Sequence, residues 1–190
     1  MLRAVVDALM RRPWLALVLA LVAEIVIAVV GQPDFVLGDP LWYAAVASDL
    51  ARDFGGVFSP AETHPFVMRV GLTVPVALFY KLFGVSTLAT NLYPLIAALG
   101  VTVVVYAAAP TPRAKLIGLA LAVFCTPLLS SATVLYADLP CAALMAAAVL
   151  CLARRDRPRG AWWIAGAAVA TMAAFLVKET ALWTGIVWLY

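Results

Sequence analysis

The sequence predicts an all-α fold: a polytopic integral membrane bundle of about five spans, with interfacial helices in a long first extracytoplasmic loop. Three observations predict it. Hydrophobic residues make up 66% of the chain and mean hydropathy is +1.04. Charged residues make up 12%, where a soluble domain carries roughly 25%. The remaining observation is order: long apolar stretches alternate with short basic clusters.

A spanning helix needs about 20 apolar residues, with a range of roughly 17–25. Residues 14–31 meet that length. Arg3, Arg11 and Arg12 precede them as in a signal peptide, but no A-x-A-like cleavage site follows, so the run is read as an uncleaved first span. Residues 32–86 form the long loop. Within it, Pro40–Phe54 reads as an amphipathic helix: Tyr43, Val46, Ala47, Leu50 and Phe54 share one face, and Asp49, Arg52 and Asp53 take the other. Gly55–Gly56 ends it, and Ser59–His64 is a polar loop. Further spans are expected at 87–109, 116–137, 139–153 and 161–177, and Ala181–Tyr190 begins another apolar run.

Phe66–Phe83 is apolar but holds Arg69, Pro75 and Lys81. The positive-inside rule arbitrates. If this segment lies in the outer interface, Arg3, Arg11, Arg12, Arg113, Lys115, Arg154, Arg155, Arg157 and Arg159 all face the cytoplasm, nine of 13 basic residues. If it crosses, the RRDRPR cluster at 154–159 faces outward. The first arrangement is preferred, in a plasma membrane with a cytoplasmic N-terminus. It gathers Asp39, Asp138 and Lys178 on one outer face.

Composition also excludes classes. No glycine-rich phosphate loop and no aromatic-basic interleaving occur, so nucleic acid is not an expected partner. Cys125, Cys141 and Cys151 form no CxxC and support neither a disulfide framework nor zinc; all three read as buried small hydrophobes.

Each candidate residue has a structural alternative. Asp39, before Pro40, is a helix N-cap or a base facing an interfacial cavity. Asp138 in LYADLP is a cap, or an ion that needs water, a cation or a partner. Lys178, beside Glu179, is a snorkelling lysine or a phosphate contact. Arg69 snorkels or binds an anion, and His64 is incidental or catalytic. Glu24, near the middle of the first span, is expected to turn toward other helices, protonated or hydrogen-bonded. Trp42, Tyr43, Trp162, Trp163, Trp183 and Trp188 suit an aromatic belt.

The order of motifs carries a resemblance. A first span is followed by GDPLWYAAVASDLAR, then HPFVMRVGLTVPVALFYKLFG, a span, a basic turn, a span ending in LYADLP, and a last span closing with LVKET. This resembles the N-terminal part of the GT-C glycosyltransferases, in the branch of protein mannosyltransferases and lipid A aminoarabinose transferases. The resemblance covers nearly the whole chain. It implies a polyprenyl-phosphate sugar donor, a lipid, glycan or protein acceptor, and inverting transfer on the extracytoplasmic face.

It implies roles as well: Asp39 as general base, Asp138 as the second-loop aspartate, Lys178 on the lipid-linked phosphate, and Tyr43, His64 and Arg69 along the donor site. A divalent cation, Mg²⁺ or Mn²⁺, between Asp39 and Asp138 is compatible with carboxylate chemistry, although Pro40 stands where many members have Glu. Family members continue with more spans, so the chain is expected to be truncated at 190 and inactive alone. The rival classes are half of a secondary transporter or flippase, which predicts repeats and broken helices, and a non-catalytic membrane scaffold.

Overall fold

Apolar composition without strand-forming alternation gives helices throughout. In the computed structural model, which describes residues 2–33, 38–53 and 69–183, every regular element is helical. Pro13 opens a new helix after Arg12, dividing α1 (Leu2–Arg11) from α2 (Pro13–Val30). Next come α3 (Asp39–Arg52) and α4 (Val70–Phe83). The Ser86 side chain caps α5 (Thr87–Ala108) by accepting from the Ala89 amide at 3.2 Å, a cap worth about 1 kcal/mol. Thr111 caps α6 (Pro112–Phe124) in the same way at 3.1 Å. Then follow α7 (Thr126–Ala132), α8 (Asp138–Leu152), α9 (Gly160–Val177) and a 3-10 turn, Glu179–Trp183.

Three helices, α2, α5 and α9, are long and apolar enough to cross a membrane, and α6 with α7 would make a fourth. The expected span at 116–137 is not one straight helix. It bends by 58° between α6 and α7. Pro127 has no N–H for the Val123 carbonyl and its ring clashes there, so the ladder breaks at Cys125. That break also exposes Cys125, correcting the reading of all three cysteines as buried; Cys141 is buried and Cys151 half-buried. The expected span at 139–153 is α8, whose 15 residues rise about 22 Å, short of the roughly 30 Å hydrocarbon core.

The helix directions follow from their contacts. Thr102 on α5 meets Glu24 on α2, and Ala16 and Ala20 cluster with Tyr106 near the end of α5, so the two run antiparallel. Tyr93 and Val104 on α5 line one cavity with Pro140 and Ala147 on α8, and Arg154 donates to the Ala107 carbonyl at 2.7 Å, so these two run parallel. Arg154 also lies over Trp163 at the start of α9, which returns antiparallel to α8. Small residues, Ala97, Ala98, Ala132 and Ala143, fill the seams and allow the backbones to approach. One end of the bundle therefore collects the end of α2, the starts of α5 and α8, and the end of α9. This is the site end of the bundle.

Candidate functional site at the helix ends

The short helices α3 and α4 rest on the site end. On α3, Tyr43, Ala47 and Leu50 are buried, while Asp49, Arg52 and Asp53 are exposed, the amphipathic division read in the sequence. The buried face packs on α4 and joins one apolar cluster with Leu72, Val76 and Tyr80 of α4, Leu135 and Cys141 near the start of α8, and Ala174 and Val177 of α9. Each fully buried Leu or Val contributes roughly 1.5–3 kcal/mol relative to exposure in water.

Gly71 sets how closely α4 approaches α9. A Cβ at Gly71 would stand 2.7 Å from the Leu176 carbonyl carbon and 2.7 Å from the Val177 nitrogen. Only glycine tolerates that backbone contact. The contact brings Arg69, two residues earlier, against the turn that begins at Lys178.

Three groups meet at Arg69. Its Nη1 donates to the Tyr43 hydroxyl, its Nη2 donates to Glu179 Oε1 at 3.2 Å, and its Cζ lies 5.8 Å from the Tyr43 ring centroid. Burial works against the guanidinium charge, but the Tyr43 hydrogen bond and the nearby Tyr43 and Glu179 outweigh it, leaving the Arg69 pKa above its ordinary value. Burial pushes the Tyr43 phenol up, and this exceeds the opposing effect of Arg69. A hydrogen bond from its own backbone amide, helped by the Arg69 and Lys178 charges, holds the Glu179 carboxyl below the usual range.

Lys178 Nζ donates to Asp138 Oδ1, joining the end of α9 to the start of α8. Lys178 is 23% exposed and Asp138 73% exposed, so this pair is open on its carboxylate side. Of the alternatives read for Asp138, a cationic partner is the one present. The N-cap position belongs to Ala137, so Asp138 is not the cap.

Asp39 is likewise not an N-cap. Gly38, with φ of 91°, occupies that position, Asp39 is the first helical residue and Pro40 the second. The Asp39 side chain is exposed, and among the described residues no hydrogen bond or ion pair engages its carboxylate. Both Asp39 and Lys178 lie near enough to act electrostatically on the Tyr43 hydroxyl, in opposite directions.

The structure thus brings together Asp39, Tyr43, Arg69, Asp138 and Lys178 from four helices. His64 lies outside the described residues, as do the loop at Ser59–His64 and Phe54. Tyr43 is 1% exposed, and its hydroxyl accepts from Arg69. Sequence reading left Glu179 and Gly71 without roles. Adjacency to Lys178 was the available signal for Glu179; nothing local marked Gly71.

Asp138 already faces an ammonium, and among the described residues no three of His, Cys, Asp or Glu stand close enough to hold an ion. Elsewhere, Glu24 is turned inward as expected: it is 1% exposed, and its Oε1 accepts from Thr102 at 2.6 Å. No family model, curated protein or solved structure matches this chain.

Proposed function

We propose that the chain is part of a membrane glycosyltransferase that moves a sugar from a polyprenyl phosphate to an acceptor hydroxyl on the extracytoplasmic face. One observation carries the reading: the Asp39 carboxylate, without a partner among the described residues, acts electrostatically on the Tyr43 hydroxyl that Arg69 holds, and two cations, Arg69 and Lys178, stand at the ends of apolar helices. That is where a lipid-linked phosphate meets water.

The donor capacity suits a phosphate. An ammonium has three N–H groups and a guanidinium five. Lys178 commits one to Asp138, and Arg69 commits one each to Tyr43 and Glu179. The remaining donors serve an anion at short range, where charge-assisted hydrogen bonds are strongest. The carboxylates of Asp138 and Glu179 hold both cations in position before the phosphate arrives.

In the proposed reaction, the acceptor oxygen bonds to the anomeric carbon as the bond from that carbon to the phosphate oxygen breaks. The electron pair leaves with the phosphate, and Lys178 and Arg69 stabilise the growing charge. Asp39 takes the acceptor proton. A single displacement inverts the anomeric centre. No step runs through a metal.

The test is transfer of labelled sugar from a polyprenyl-phosphate donor by the protein in native membranes. Asp39→Asn is expected to lower the transfer rate by on the order of 100-fold with donor binding retained, because the Asp39 carboxylate holds no other described group. Transfer at the unsubstituted rate would remove Asp39 as the base.

A further inference from the structure

A cavity of about 260 Å³ opens at the site end, between α3, the Tyr80 end of α4 and the start of α5. The walls include Pro40, Leu41 and Ala44 of α3 and Val134 from the link before α8, and among the described residues no charged side chain lines it. Its polar groups come from the first turns of α5 and from Tyr80. The volume is slightly below the usual range of roughly 300–1,000 Å³ for small-molecule pockets.

The floor holds the deciding residue. Asn91 is 5% exposed, yet among the described residues its amide makes no hydrogen bond. A buried amide without a partner costs roughly 1–3 kcal/mol. Its atoms are not sealed in: the one enclosed side-chain oxygen without a partner among the described residues is Glu24 Oε2. The Asn91 amide therefore faces the cavity it lines.

The neighbouring groups add to it. The Tyr80 and Thr90 hydroxyls lie 2.7 Å apart, and Thr90 Oγ1 donates to the Ser86 carbonyl at 2.8 Å. With its proton spent there, Thr90 must accept from Tyr80, which leaves lone pairs on both oxygens. Pro94 has no N–H for the Thr90 carbonyl, so that acceptor is also released from the helix ladder. Asn91 supplies two N–H donors and a carbonyl, and Thr87 adds an exposed hydroxyl at the rim.

We propose that this cavity binds a neutral polyhydroxylated headgroup, such as one sugar ring. Hydroxyl groups both donate and accept, matching the mixed donors and lone pairs around Asn91. The C–H faces of a sugar ring match the proline, leucine and alanine walls. Among the described residues the lining carries no charge, which disfavours phosphate and zwitterionic headgroups. The inference does not depend on the transfer reaction, since it concerns a cavity that contains none of Asp39, Arg69, Asp138 or Lys178.

The probe is an octyl glucoside bearing a photoreactive diazirine, applied to the full chain in lipid nanodiscs, with labelled peptides mapped by mass spectrometry. Labelling is expected at residues 41–44 and 86–91, with competition by excess octyl glucoside but not by an octyl phosphocholine. Asn91→Leu is expected to reduce this labelling about tenfold or more. Thr87→Val, at an exposed rim position that cannot unfold the core, should reduce it a few-fold. Lys178→Ala should leave it unchanged, which separates this site from the phosphate site. Equal competition by the phosphocholine, or undiminished labelling in both Asn91→Leu and Thr87→Val, would overturn the proposal and leave an ordinary lipid-facing groove.

Discussion

Two polar regions of this chain obey opposite rules. Glu24 and Thr102 are 1% and 0% exposed, joined by one 2.6 Å hydrogen bond in the middle of the α2–α5 seam. Asp138 and Glu179 are 73% and 65% exposed, and each binds a cation at the helix ends. A polar group sealed inside a membrane bundle has only its packed neighbour, and so it holds helices together. A charge at a helix end keeps spare hydrogen-bonding capacity and access to water, and so it can exchange partners. Burial, more than charge, separates glue from site.

The comparison breaks most visibly if both cations are removed. Arg69→Ala with Lys178→Ala is expected to weaken retention of a polyprenyl phosphate by ~100-fold or more, two charged hydrogen bonds at roughly 1.5–3 kcal/mol each. Sedimentation of the radiolabelled lipid with nanodisc-held protein measures it. The bundle itself should keep its helical circular dichroism.

Gly71→Ala should have the next effect. Its Cβ would meet α9 backbone at 2.7 Å, and forced overpacking costs ~1–3 kcal/mol. The displaced α4 carries Arg69 away from Glu179, so phosphate retention should fall about tenfold. In an Arg69→Ala background the same substitution should cost much less, and a double-mutant cycle reads that coupling. Equal losses in both backgrounds would show that Gly71 serves packing alone.

Thr102→Val sharpens the other side. Interhelical hydrogen bonds in membranes average ~0.6 kcal/mol and reach ~1.7. Stability should fall by about that much in a thermal unfolding assay, with phosphate retention unchanged. Thr102→Ser should restore it.

The smallest effect belongs to Glu179. Its carboxyl sits below the usual range when folded. Its contribution is therefore fully present above the ordinary glutamate pKa and is lost as pH falls through the depressed folded value. The stability difference between the unsubstituted protein and Glu179→Gln should be constant from neutral pH down to the ordinary glutamate range, and vanish below it. Its size should stay under ~1 kcal/mol because the pair is exposed.

The helical class and the placement of charge were legible because the bilayer imposes simple rules: apolar runs become helices, and ions sit at their ends. The inward turn of Glu24 followed from the same cost. The α6–α7 bend was also written locally, in Pro127, but a hydropathy reading of 116–137 passes over one proline in an apolar run. The partners were less legible. Asp138 and Lys178 are 40 residues apart, and Arg69 and Glu179 are 110 apart, so their pairing depends on how α8 and α4 pack against α9. Gly71 and Asn91 acquire meaning only from that packing. A glycine's close approach, or an amide's missing partner, is a property of neighbours that one-dimensional periodicity does not contain.

The most direct test of the account compares a short polyprenyl phosphate with the matching unphosphorylated polyprenol. Both would be titrated into nanodiscs holding the unsubstituted protein, Lys178→Ala or Arg69→Ala. The unsubstituted protein is expected to retain the phosphate far better than the alcohol, and each substitution to remove most of the difference. Equal retention of phosphate and alcohol by the unsubstituted protein would contradict it, and the helix-end ion pairs would then be structural clasps of a membrane scaffold.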